Sequence, residues 1–296
     1  MPLLNYLLLH RKLGVSRGDL VLEVGPGGSP FLRSDVLVEK YIEDSKERPS
    51  VLTLDRAIIS ADGSALPFRD KSAGFIFCAH VLEHVPEPTT FLRELSRVGK
   101  RGLIICPHGG YERLDPRRSH LWYVWNENGS LRLKQKRSWN EFPEVQKYFK
   151  NIAELPSYWR FWGKHRRLFE TALLWENSIS YRVEQEQQLD LSGFTKASIN
   201  PPSGCDEAAC EPRKPRAKRW IAKIVRPLVS AHWNVDLNSV ICCPLCGGNL
   251  SSLTARSKRI DCKRCGAAFP VRRSIARLLK DEAWFPGEKT TPKTFG

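Results

Sequence analysis

The chain has 296 residues, 41% of them hydrophobic, and a formal net charge of +15. These proportions suit one ordinary globular domain with a small second one, and no apolar run reaches the roughly 18 residues that a membrane span needs. The charge is uneven: from Glu211 onward Lys and Arg number 18 against 6 acids, a net +12, while the first 210 residues carry only +3. A basic tail points to a polyanionic neighbour, whether RNA, an acidic membrane surface or an acidic protein, beside its plainer use for solubility.

The opening MPLLNYLLLH is apolar but short. It lacks a basic start and a small-residue cleavage site, so it reads as an amphipathic helix covering the main domain, and a cytoplasmic location is expected. Residues 1–110 then alternate apolar runs with helical patterns, as α/β folds do. Runs 20–24, 36–39, 57–60, 75–79 and 102–106 read as strands. Residues 88–98 read as a helix, with Phe91, Leu92, Leu95 and Val98 on one face. Two later runs, 179–183 and 194–199, would complete a doubly wound, Rossmann-like sheet of about seven strands.

Residues 110–178 hold six of the nine tryptophans: Trp122, Trp125, Trp139, Trp159, Trp162 and Trp175. So long a stretch between strands reads as an insertion. It would serve as a lid or acceptor pocket, or form a helical subdomain with an aromatic core. A linker rich in Pro, Lys and Arg follows at 201–217, and then AKRWIAKIVRPLVSAHW. Trp220, Ile221, Ile224, Val225, Leu228 and Val229 give the latter helical spacing, with basic residues largely off that face. Packing on a neighbouring domain is the favoured reading of this helix; a membrane or RNA surface is the other. The expected domains are 1–200, then 201–238 as linker and helix, 239–282 as a cysteine-bearing unit, and 283–296 as a tail.

The strongest catalytic signal is VLEVGPGG at 21–28, an apolar strand entering a glycine-rich turn. Glycines let the backbone bend tightly and let a ligand approach it. A bare glycine turn is weak evidence, since dinucleotide sites have one too. Glu23 lies two residues before Gly25, where an acid can help fix the charged ammonium of S-adenosylmethionine. Glu39 ends the next strand, and its paired oxygens suit two ribose hydroxyls. Asp62 follows the third strand and can accept from an adenine amine. FIFCAHVLEHV at 75–85 then places Ala79, His80 and His84 near the reacting centre, because ligands of open α/β sheets sit beyond the carboxyl ends of the strands. His80, His84, His108 and His120 are candidate bases for an O or N acceptor, with His80 and His84 foremost.

Residues 19–107 resemble the type 11 group of class I S-adenosylmethionine-dependent methyltransferases in VLEVGPGG, ADGSALPF, HVLEHV and GLIICP. The resemblance implies a Rossmann-like sheet with Gly25, Gly27, Glu39 and Asp62 lining the cofactor. The group often has an acid just before the fourth strand, where this chain has Gly74. NPPS at 200–203 looks like an amino-group methyltransferase signature but falls about 120 residues too late in the order of motifs.

Cys243, Cys246, Cys262 and Cys265 form C-x2-C-x15-C-x2-C. Two such knuckles complete a thiolate tetrahedron with no open position, which predicts a structural zinc. CPLCGGNL, CKRCGAAFPV and SIARLL, over about 239–282, resemble the small zinc-ribbon activator subunit of tRNA and rRNA methyltransferases and its short bacterial relatives. That resemblance implies stabilisation or activation of a methyltransferase, here in cis. The ribbon departs from the family in being strongly basic. Cys78 and Cys106 read as buried core thiols; Cys205 and Cys210 have no partner motif.

Three functional readings follow. The favoured one is methyl transfer to a small molecule or glycan precursor, since aromatic walls suit sugar faces. The second is a tRNA or rRNA methyltransferase, suggested by the ribbon, the basic tail and RFWGKHRR at 160–167. The third is a non-catalytic adaptor built on the same fold.

Overall fold

The computed structural model describes residues 11–42, 52, 55–185, 225–232 and 234–286. The expected opening helix, the run 194–199, the linker 201–217 with Cys205 and Cys210, and the tail beyond 286 lie outside the described residues.

The central sheet has the order β3-β2-β1-β4-β5-β8. Its strands are β1 (Val21–Val24), β2 (Val36–Glu39), β3 (Ala57–Ser60), β4 (Phe75–Ala79), β5 (Arg101–Pro107) and β8 (Glu170–Glu176). The first five are parallel, and β8 runs antiparallel to β5. β1 and β2 are buried throughout, which is why they are continuous apolar runs rather than alternating ones. Helix α1 (Pro88–Val98) starts on a proline and buries Phe91, Leu92, Leu95 and Val98, as their spacing requires.

Strand order reverses between β1 and β4. In open α/β sheets the ligand crevice opens at this switch, beyond the carboxyl ends of the strands. The β1–β2 connection is unusual in holding no helix: the chain reaches β2 through turns and bends. Polar groups buried under this loop substitute for helix packing. Arg33, 1% exposed, pairs with Asp35 at 2.7 Å and donates to the carbonyls of Ser16, Arg17 and Asp19.

The run 179–183 does not extend the central sheet. Its strand, β9 (Tyr181–Glu184), pairs with β7 (Ser130–Gln135) in a separate sheet of order β6-β7-β9, where β6 is Trp122–Glu127. The sixth strand of the central sheet comes instead from β8, inside the stretch expected to be an insertion. β8 alternates buried Thr171, Leu173 and Trp175 with exposed neighbours, the pattern of an edge strand with one face on the core. Trp175 therefore belongs to the main core.

The rest of the insertion is β6, β7, and the helices α2 (Gly109–Leu114), α3 (Pro143–Ala153) and α4 (Pro156–Lys164). Its rings gather around Phe169, with Tyr111, Tyr158, Phe161 and Trp162 at centroid distances of 5.2, 5.9, 6.0 and 6.0 Å.

The C-terminal unit is a three-stranded sheet of β10 (Arg259–Asp261), β11 (Ala268–Arg272) and β12 (Ile275–Ala276). It is stitched to the β3 edge. Ser60 bridges Arg277 in parallel and Phe68 bridges Ile241 antiparallel, while Ile275 packs on Leu37 and Ile58. The described end of the basic helix also docks on the main domain: Ser230 Oγ donates to Asp35 at 2.5 Å, and Arg226 donates to the Asp55 carbonyl.

Candidate functional site

Gly25 closes β1 at φ +68° and Gly27 follows at φ +53°, a region that L side chains enter at a cost. Their surroundings differ. A Cβ on Gly25 would lie 2.3 Å from Val81 Cγ2, whereas one on Gly27 would enter open space. Gly25 is thus required by the packing of the turn on the segment after β4. Gly27 leaves its side of the turn uncovered at the switch point, where a ligand can approach the backbone.

Glu23 is buried beneath this turn. Its carboxylate accepts the Phe31 N–H at 2.8 Å and the Ser34 hydroxyl at 2.6 Å, so it anchors the helix-free loop. Glu39, 7% exposed, ends β2 and accepts the Tyr41 N–H at 3.1 Å. Asp62 stands at the end of β3, half-buried, with one oxygen 2.7 Å from Lys40 Nζ and the other accepting the Ser64 N–H at 2.8 Å. Burial alone would raise its pKa, but Lys40 and the Ser64 amide outweigh burial and lower it. The carboxyl ends of β1, β2, β3 and β4 therefore bring Gly25, Gly27, Glu39, Asp62 and Ala79 to one rim of the sheet.

His80 follows Ala79 at φ +56°, half-exposed between two carboxylates. Nδ1 lies 3.5 Å from Glu83 and Nε2 lies 3.7 Å from Glu170. The protein around the ring would lower its pKa, but Glu170 and Glu83 outweigh that and push it up to about 10. The two carboxylates therefore favour the protonated ring. His84 is exposed on the next turn. Surrounding protein and the neighbouring His120 lower its pKa to about 4. Glu83 lies between them, 1% exposed; burial would raise its carboxyl, but the histidines around it pull it down to about 2. His108 is turned back on its own chain, with Nδ1 accepting the Gly110 N–H.

Sequence reasoning missed Glu83, Glu112 and Glu170. Glu83 sits inside the motif that drew attention to its histidines. Glu112 accepts from His120 and pairs with the fully buried Lys136. Glu170 reaches His80 only because β8 lies against β5, a pairing with no local signal.

The four cysteines converge as their spacing requires. Cys243 and Cys265 sulfurs are 3.8 Å apart, and Cys246 and Cys262 are 3.5 Å apart. A tetrahedral zinc with bonds of about 2.3 Å has sulfur–sulfur edges of about 3.8 Å. The amides of Arg264 and Cys265 point at Cys262 Sγ and, against the effect of burial, pull its pKa down to about 7. Burial pushes Cys243 up to about 12. Cys242, Cys78 and Cys106 are buried free thiols. Among the described residues no helix is long and apolar enough to cross a membrane.

Comparison with known proteins places relatives on both parts of the chain. Residues 35–106 match the methyltransferase domain family. An uncharacterized methyltransferase of Mycobacterium leprae (strain TN) is 32% identical over 112 residues, covering 32% of this chain and 41% of that protein. The chain therefore spans less than half the length of that relative. Among solved structures, the YcgJ protein of Bacillus subtilis is 21% identical with a TM-score of 0.31, covering 39% of this chain and 60% of the other. A UPF0434 protein of Dechloromonas aromatica (strain RCB) is 45% identical over 47 residues, which is 16% of this chain and 79% of that protein. Through that stretch the chain belongs to the UPF0434 protein family.

Proposed function

We propose that this protein is an S-adenosylmethionine-dependent methyltransferase acting on an oxygen or nitrogen of a small molecule or glycan precursor. The observation that carries this reading is the rim at the switch point, where the uncovered turn at Gly27 stands with the acid-tipped ends of β2 and β3. S-adenosylmethionine, when bound, supplies a methyl group that is already electrophilic. The chain's part is to bind and orient. Gly25 and Gly27 shape the turn, Glu39 suits the ribose hydroxyls, and Asp62 suits the adenine edge. Glu23 serves the amino-acid end through the loop it anchors, and Ala79 forms the floor. His80 and His84, both solvent-accessible beyond β4, would meet the acceptor. The aromatic cluster around Phe169 supports an acceptor wall beside them.

The four cysteines would hold a structural zinc, and the bridges from Ile241 and Arg277 to the main domain support stabilisation in cis. A second reading, tRNA or rRNA methylation, is favoured by one observation. Seven of the ribbon's basic residues, Arg256, Lys258, Arg259, Lys263, Arg264, Arg272 and Arg273, are exposed, where they can meet phosphates.

Calorimetry with S-adenosylmethionine tests the main reading. Binding that Asp62→Ala and Glu39→Ala each weaken at least tenfold supports it. A folded protein that binds none is the non-catalytic adaptor. RNA binding that falls steeply with salt and is lost on charge reversal at Lys263 and Arg264 would favour the second reading.

A further inference from the structure

Beside the glycine turn and away from the cysteines, one cluster has the chemistry of a metal site. Glu83, His84 and His120 each bring a ligand atom within 4.8 Å of the others. Glu83 and His84 lie in the single 3-10 turn after β4. His120 comes from the segment leading into β6, held there because the Leu121 N–H donates to the Glu83 carbonyl at 2.7 Å. The two imidazole rings stand edge to face, 4.6 Å between centroids.

Glu83 carries the argument. Its side chain is 1% exposed, and neither carboxylate oxygen has a hydrogen-bond partner among the described residues. The cation beside it, His80, is half-exposed and 3.5 Å away. That single long ion pair, with no close donor on either oxygen, leaves a buried carboxylate only partly compensated, a costly state that a bound cation would relieve.

The histidines are held as metal ligands are held. His84 Nδ1 lies 3.1 Å from the Ser119 carbonyl. A carbonyl can only accept, so Nδ1 carries the hydrogen and Nε2 keeps its lone pair. His120 Nδ1 donates to Glu112 at 2.7 Å, and Glu112 is fixed in turn by Lys136 and by the Arg117 N–H. Ligating histidines characteristically donate their second N–H to a carboxylate or carbonyl, which sets the tautomer and the ring orientation. His120 and Glu83 are buried while His84 is exposed, so the cluster opens toward solvent at the carboxyl end of β4.

We propose that Glu83, His84 and His120 bind one divalent first-row transition-metal ion, through two Nε2 atoms and one carboxylate. Two imidazoles with one carboxylate suit Mn²⁺, Fe²⁺, Co²⁺ or Zn²⁺. Three protein ligands leave positions open for water or for an oxygen-bearing acceptor. Binding of the ion does not depend on the methyl-transfer reading.

The test uses the full chain, dialysed against a mild chelator, with residual metal counted by mass spectrometry and Mn²⁺ and Co²⁺ then added as probes. Mn²⁺ is followed by electron paramagnetic resonance and Co²⁺ by absorption. Mn²⁺ is a poor ion for thiolates, and thiolate-to-metal bands identify Co²⁺ in the cysteine centre. The expected result is one ion per chain beyond the cysteine centre, either retained through dialysis or taken up in the titration. Glu83→Gln and His84→Ala should each weaken it at least tenfold, and Glu112→Gln by roughly tenfold to a hundredfold. His84 is exposed, so His84→Ala remains decisive if Glu83→Gln does not fold. No second ion with either probe, or one unaffected by both substitutions, overturns the proposal.

Discussion

Leu278 donates its backbone N–H to the Ser60 carbonyl at 2.7 Å, joining the cysteine-bearing unit to the outermost strand of the central sheet. The contact continues inward. Cys242 donates to the Pro67 carbonyl at 2.9 Å, and Ile241, Cys243 and Phe269 share one apolar core with Leu22 and Val36. The two units are therefore expected to unfold together.

Metal removal should accordingly destabilise the whole chain, since a structural zinc contributes folding free energy directly. With the proposed zinc at the four cysteines, a strong chelator or Cys262→Ser should lower the melting temperature of the central sheet by at least roughly 6 °C, corresponding to about 2–3 kcal/mol for a chain of this size. Far-ultraviolet circular dichroism gives the measurement. A main-domain transition indifferent to metal would show that the β3 edge does not need its cover.

The two turn glycines should separate stability from binding. Gly25→Ala adds a Cβ against Val81 at 2.3 Å to a left-handed cost of about 1–2 kcal/mol, and should lose stability and cofactor affinity together. Gly27→Ala should cost only about 1 kcal/mol in urea unfolding while weakening S-adenosylmethionine at least tenfold. Equal affinity in Gly27→Ala and wild type would remove Gly27 from the binding rim.

The helix-free β1–β2 loop depends on a buried ion pair. Asp35, 1% exposed, accepts the Val21 N–H at 2.9 Å as well as Arg33. Arg33→Met leaves that carboxylate uncompensated and should cost about 3–5 kcal/mol. Adding Asp35→Asn should recover part of the loss, because no charge then remains buried. Chemical denaturation of both variants decides, and additive losses would refute the pairing argument.

Asp19 sets an acid limit on stability. Burial raises its pKa, but the Ser16 amide and Arg101 outweigh it and hold the carboxyl below its ordinary value, with Arg101 at 2.8 Å. A group whose folded pKa is depressed contributes fully above its unfolded pKa and loses that contribution as pH falls through the folded one. Stability should therefore decline below about pH 4, and Asp19→Asn should flatten that decline. Melting curves between about pH 6 and 2.5 provide the check, and an unchanged slope would exclude Asp19 as a contributor.

The local pattern of the sequence determined the strands 36–39, 57–60 and 75–79, the helix 88–98 and the convergence of the four cysteines, because burial on both faces, helical spacing and knuckle geometry are properties of short segments. It also picked out Gly25, Gly27, Glu39 and Asp62, which lie at strand ends that the parallel order brings to one rim. Only the tertiary structure decided that β8 completes the sheet, that β9 joins another, and that the loop before β2 holds buried Arg33 instead of a helix. It alone set the neighbours of Glu83: His80 beside it, Glu170 delivered by an antiparallel strand, and His120 delivered by the lead into β6. Those neighbours decide which histidine keeps its proton and which offers a lone pair, since charge state and ligand geometry depend on groups far apart in the chain and near only in the fold.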